Sequence, residues 1–162
     1  MKQGRLIAIL ISIMAIYSSG TSQTKNAVNW LSFEQLEDSL AINPKNVFIE
    51  FHADWCAPCL RMQREVFTNS EVINNLNSNY YAVKMNIETA DTISFGGDVF
   101  INERVNRRNP IHQIPLLMAS RKNKPFSLPA MVFLDEKFQA QARYFQYLNA
   151  QQFLKILKRF TE

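Results

Sequence analysis

The chain has 162 residues, 47% of them hydrophobic and 12% aromatic. That is enough apolar material to bury the core of one domain, and it excludes a disordered polypeptide. The formal net charge is +4, but residues 1–20 hold two of the 18 basic residues and none of the 14 acidic ones, so the remainder carries +2; such a balance implies neither a nucleic-acid partner nor an acidic membrane surface.

The N-terminal segment has the layout of a secretory leader. Lys2 and Arg5 precede an apolar run, Leu6 to Tyr17, broken only by Ser12, and the small residues Ser18, Ser19 and Gly20 follow. The run falls short of the ~20 apolar residues that a spanning helix needs. Residues 1–20 are therefore expected to be a cleaved signal peptide rather than a membrane anchor, which places the protein in the periplasm or otherwise outside the cytoplasm, with no stable membrane insertion. Polar residues 21–29 are expected to form a linker, and one domain to occupy 30–162.

Ser32-Phe33-Glu34-Gln35 is a capping box that predicts an amphipathic helix to about Ala41, stopped by Asn43-Pro44. Val47 to Phe51 is an apolar run with one acid inside, Glu50, as expected of a strand covered on both faces. The Trp55–Cys59 motif follows, then a helix to about Phe67 and a second from Asn69 or Ser70 through Leu76. Tyr80 to Ile87 reads as the next strand. From Glu88 to about Ile111 the periodicity is lost, and 89–111 is read as an insertion with a turn at Gly96-Gly97. Val99-Phe100-Ile101 is a short strand or a helix start. A short helix is expected over Pro115–Lys122. A hairpin should pair Met131–Leu134 with about Arg143–Tyr147, turning at Asp135-Glu136-Lys137. Asn149 to Gln152 caps a last helix with Phe153, Ile156, Leu157 and Phe160 on one face.

Residues 101–124 carry Arg104, Arg107, Arg108, Arg121, Lys122 and Lys124 against Glu103 alone. This is either a solvated basic face or a docking surface for an acidic partner.

Cys56 and Cys59 are the chain's two cysteines. A disulfide closing so short a loop gains little entropy, so stability is not the obvious purpose of the pair. With a helix starting at about Cys56, that sulfur faces free backbone N–H groups and the positive dipole end, which lowers its pKa and raises its nucleophilicity. Cys59, one turn on and deeper, can close a disulfide with Cys56 or release a mixed disulfide. Pro58 places its missing N–H in the first turn, where it costs little, and Trp55 can shield the sulfurs and offer a contact surface. A zinc knuckle would need four ligands and has only His52 and His112 left to draw on; a structural disulfide that never turns over is the other alternative. No cofactor and no metal is expected.

Phe51-His52-Ala53-Asp54-Trp55-Cys56-Ala57-Pro58-Cys59 resembles the active-site segment of thioredoxin-family proteins, in the style of exported bacterial members and of the C-terminal domain of transmembrane thiol:disulfide interchange proteins. Tyr81 to Glu88 resembles the following family strand, and Leu128-Pro129-Ala130-Met131-Val132-Phe133-Leu134-Asp135 the segment with the family's cis-proline. The resemblance implies an α/β thioredoxin-like fold, a central mixed sheet flanked by helices, with the insertion before the cis-proline segment. It implies Cys56 as the attacking and Cys59 as the resolving cysteine. Glu50 would be a buried acid with a raised pKa, taking the proton of Cys59, with Lys84 as its neighbour. A strand-edge Glu50 facing water and an ordinary exposed Lys84 are the alternatives. Pro129 would be the cis-proline, and Trp55, Pro58, Leu128 and Pro129 would contact substrate. Three departures stand out: Ala57 for the usual glycine, Ala130 after the proline, and His52 at a position often aromatic, where it either tunes Cys56 or is a bystander.

The function implied is a thiol–disulfide oxidoreductase acting on protein clients outside the cytoplasm, as a reductant or isomerising partner fed by a membrane thiol donor. A disulfide-introducing oxidant and a non-catalytic binding or chaperone module are the alternatives.

Overall fold

The computed structural model describes residues 27–161. The expected leader lies outside these residues, as does most of the expected linker, although Val28 at that linker's end is buried. In chain order the elements are β1 (Trp30–Leu31), α1 (Phe33–Ile42), β2 (Asn46–His52), α2 (Ala57–Glu65), α3 (Ser70–Asn79), β3 (Tyr80–Asn86), β4 (Ile93–Phe95), β5 (Asp98–Phe100), α4 (Gln113–Ala119), β6 (Ala130–Leu134), β7 (Ala140–Tyr144) and α5 (Ala150–Arg159).

The main sheet runs β1-β3-β2-β6-β7. β3 lies parallel to both β1 and β2, while β6 is antiparallel to β2 and to β7. β2 is thus flanked on both edges and covered on both faces, which is why Val47 to Phe51 are all buried. On one face Phe33 and Leu36 of α1 and Ile114 and Ala119 of α4 pack with Val47, Ile49 and Phe51. On the other, Met62, Val72, Ile73, Leu76, Phe153 and Leu157 of α2, α3 and α5 pack with Phe48. Phe48 is fully buried, with ring centroids 5.1 Å from both Phe133 and Phe153.

Local chemistry sets the element ends as expected for α1 and α5. Ser32 Oγ accepts from the Gln35 N–H at 3.2 Å and Gln35 Oε1 from the Ser32 N–H at 2.9 Å. Asn149 and Gln152 repeat this reciprocal box at α5.

Three expectations are corrected. β1 was not foreseen; two residues carry no periodicity, and only pairing with β3 makes them a strand. β7 begins at Ala140 rather than near Arg143, because Asp135 accepts from the Lys137 and Gln139 N–H groups and Phe138 takes φ 61°, closing the turn at once. Phe145 and Tyr147, inside the expected strand, pack beyond the end of β7. α4 starts two residues earlier than expected and ends at Ala119, since His112 Nδ1 caps the Ile114 N–H at 3.2 Å and Arg121 to Lys124 close a tight turn with Asn123 at φ 58°.

The segment read as an insertion is ordered by its own contacts. β4 and β5 form a hairpin whose turn residues Gly96 and Gly97 have φ of 65° and 81°, the left-handed region that favours glycine. Phe95 packs edge-on against Phe33, with centroids 5.3 Å apart. Beyond the hairpin the chain returns to its origin. The His112 N–H donates to the Ile87 carbonyl at 2.8 Å, the His112 ring lies 3.2 Å from the Asp91 carbonyl, and Asn102 Nδ2 donates to the Thr89 carbonyl at 3.0 Å.

Candidate active site

Because β2 and β3 run parallel and β6 runs antiparallel to β2, the C-terminal ends of the first two and the N-terminal end of the third share one edge of the sheet. The Cys-x-x-Cys motif, Glu88 and Leu128-Pro129 lie just beyond those three ends. The Cys56 N–H donates to the Ala53 carbonyl at 3.0 Å, turning the chain, and Cys56 becomes the N-cap of α2 with Ala57 and Pro58 in the first turn. Cys56 and Cys59 are joined as a disulfide with Cα atoms 5.2 Å apart. The Cys59 N–H donates to Cys56 Sγ at 3.2 Å, so the outer sulfur meets the helix N-terminus as expected. Cys59 is fully buried and Cys56 nearly so.

A cleft of about 620 Å³ opens beside the disulfide. Trp55, Cys56, Ala57 and Pro58 line it with Ser127 and Leu128 opposite, and Ile87, Glu88 and Asn109–Ile111 also line it. Leu128-Pro129 is a cis peptide bond and Pro129 is buried. Trp55 is 66% exposed, yet its Nε1–H donates to Glu88 Oε1 at 2.9 Å. Neither Glu88 nor Asn109–Ile111 lies in a sequence motif that points to the site. The signal for Glu88 was its place just after β3, level with Trp55 after β2.

Glu50 is fully buried in β2, so the water-facing alternative is excluded. Neither carboxylate oxygen has a hydrogen-bond partner. Burial pushes its pKa up to about 7, with Lys84 pulling the other way. Lys84 stands in register with Glu50 on β3. The ion-pair contacts among the described residues, however, are His52–Glu50 and Arg61–Glu65. His52 shares the Glu50 face of β2 and places Nδ1 3.7 Å from Glu50 Oε2. Burial first, then Lys84, lower the His52 pKa to about 4, against Asp54 and a backbone contact with Met85.

In the basic stretch, Arg104, Arg107, Arg108, Lys122 and Lys124 are exposed. Arg121 is engaged: it stacks on Phe145 with its guanidinium 4.1 Å from the ring centroid and donates to Ser127 Oγ at 2.6 Å.

A family model described as a thioredoxin-like domain matches residues 33–161, both cysteines included. The chain belongs to the thioredoxin-like domain family. The Cys-x-x-Cys pair within that match supports thiol–disulfide oxidoreductase chemistry. The thiol:disulfide interchange protein DsbD of Pectobacterium atrosepticum is 26% identical over 149 residues, 88% of this chain and 22% of that protein. The chain thus spans about a fifth of the length of the curated relatives it matches. Among solved structures, the oxidoreductase DsbH superposes with a TM-score of 0.55 at 19% identity, over 88% of this chain and 92% of that one. The C-terminal domain of DsbD from Neisseria meningitidis, in its reduced form, gives 0.50 at 13% identity, over 77% and 90%. These likenesses establish the thioredoxin-like fold. No helix among the described residues is long and apolar enough to cross a membrane.

Proposed function

We propose that the protein exchanges disulfides with protein clients outside the cytoplasm, working mainly as a reductant or isomerising partner supplied by a membrane thiol donor. The observation that carries this reading is the position of Cys56: an N-cap sulfur bonded by a helix N–H, beside an open cleft, with Cys59 buried behind it. In the forward direction the Cys56 thiolate attacks one sulfur of a client disulfide and the other sulfur leaves as a thiolate that takes a proton from water. Cys59 then attacks Cys56, its proton passing to Glu50, and the second client thiol departs. Trp55, Pro58 and Leu128, on the walls of the cleft, bracket the client chain, with Pro129 buried beside Leu128. The extracytoplasmic setting is supported by the leader-like residues 1–20 and by relatives named for thiol:disulfide interchange.

The N–H contact to Cys56 also favours an oxidant, because stabilising the thiolate stabilises the reduced form. Dithiols of this kind span about −270 to −120 mV, roughly 7 kcal/mol. Equilibrating the couple with glutathione orders the two directions, a value near the low end supporting the reductant. Insulin reduction tests the chemistry itself: Cys56→Ser should abolish it, whereas Cys59→Ala should hold the client as a mixed disulfide visible by mass spectrometry. Full activity in Cys56→Ser defeats the reading.

A further inference from the structure

The pairing of buried Glu50 with half-buried His52 is not explained by packing. None of Glu50 reaches the surface, and both its oxygens and His52 Nδ1 lack hydrogen-bond partners. An unpartnered buried polar atom costs about 1–3 kcal/mol. Here three lie together, with Nδ1 3.7 Å from Oε2, about one ångström outside a short hydrogen bond. Retaining such an arrangement points to a proton that moves.

An acid that accepts a proton on each turnover must also release it. We infer that His52 is the proton outlet of Glu50: it takes the proton from the carboxyl at Nδ1 and returns one to solvent from its partly exposed ring. The inference rests on the dithiol reaction proposed above and adds a route to it. His52 suits the task because 12% of its side chain reaches the surface, whereas that of Glu50 is closed off. It lies two residues further along the same strand face, toward the edge where the cysteines sit.

The competing outlets are fewer than the surroundings suggest. Lys84, in register on β3, makes no ion pair with Glu50 and acts through its field. On β6 the register partner is Met131, which does not titrate. Asp54 acts on His52, not on Glu50, and is itself approached by Asn86 Nδ2 at 3.3 Å.

The step balances as follows. Attack of Cys59 on Cys56 forms one S–S bond and breaks another, expelling the client thiolate. The Cys59 proton moves to Glu50 and then to His52 Nδ1, and the His52 cation loses its Nε2 proton to water; the client thiolate takes one proton back from water, and the ring returns to its Nε2-protonated tautomer by exchange with water before the next turn. No external oxidant is needed, because the client disulfide supplies the oxidising equivalents. His52 acts through Glu50 rather than on the sulfurs.

The test uses the whole chain reducing an excess of a peptide disulfide over many turnovers with glutathione as donor, release of the reduced peptide being followed against pH. Absence of release would count against the proposed function, while a slowing that appears only after the first turnover, when Glu50 must shed the proton it took, reads the outlet. In the unaltered protein, release should rise through about pH 7 as Glu50 ionises. His52→Gln and His52→Phe should slow release by roughly tenfold near neutral pH. His52→Phe should move the inflection upward, and added imidazole should restore part of the rate. In a Glu50→Gln background the same His52 changes should have no further effect. Unchanged release in both His52 variants, or equal slowing with and without Glu50, overturns the inference. Thermal melts of both variants identify any loss of fold, and the rescue by imidazole is an effect that a merely packing role does not give.

Discussion

Glu50 stands in register with Lys84 on the neighbouring parallel strand, yet the ionisable side chain set against it is His52, two residues along its own strand and 3.7 Å away. Strand alternation puts residues 50 and 52 on one face. Two groups with opposite charging behaviour thereby stand side by side, one buried and one half-buried, and pH acts on them in opposite senses.

Their linkage to stability follows from the direction of each shift. Glu50 is raised from 4.5 to about 7, so its contribution is complete below the unfolded value and is lost as pH rises through the folded one. His52 is lowered from 6.5 to about 4, so its contribution is present above the unfolded value and is lost as pH falls through the folded one. Between about pH 4.5 and 6.5 the two slopes nearly cancel. Glu50→Gln should therefore gain roughly 2 kcal/mol of stability across that window as pH rises, and His52→Gln should lose about as much. Urea denaturation at several pH values measures both. Parallel profiles for the two variants would show that the pair is not titrating as described.

Trp55 is held by Glu88 across the mouth of the cleft. Glu88→Ala should release the indole and weaken client capture, lowering kcat/KM by about threefold, mainly through KM, with under ~1 kcal/mol lost in stability. Removing a carboxylate from the cleft also favours the Cys56 thiolate, so alkylation of the reduced protein by iodoacetamide should shift to lower pH. An alkylation curve that does not move would place Glu88 outside the field felt by Cys56.

His112 is fully buried and caps α4 while its ring meets the Asp91 carbonyl. His112→Ala leaves the Ile114 N–H without its acceptor and opens a void, which should cost about 2–3 kcal/mol. His112→Asn keeps a competent cap and should recover part of this loss. Hydrogen exchange should show the loosening centred on residues 89–111, including the Asn109–Ile111 wall of the cleft; protection unchanged there would contradict the stapling role of His112.

Much of this molecule is local in origin. The capping boxes at Ser32 and Asn149, the glycine turn at Gly96-Gly97 and the sulfur spacing of Cys56 and Cys59 each lie within four residues, where backbone stereochemistry acts without help from the rest of the chain. The apolar run around Glu50 likewise announces a strand buried on both faces, because only such a strand lacks alternation. The early start of β7 shows the limit, since the tight Asp135 turn is set by side-chain bonds that an apolar count does not register.

By itself, then, the sequence determined the helices, the central strands and the redox pair, through contacts near in the chain. Tertiary structure alone decided which distant residues meet that pair. Parallel pairing of β2 with β3 brought Glu88 to Trp55, and the looped segment closed by His112 brought Pro110 and Ile111 to the cleft. The choice of His52 over Lys84 as the companion of Glu50 was also tertiary. Register makes two side chains neighbours, but side-chain direction and burial decide which of them come within reach.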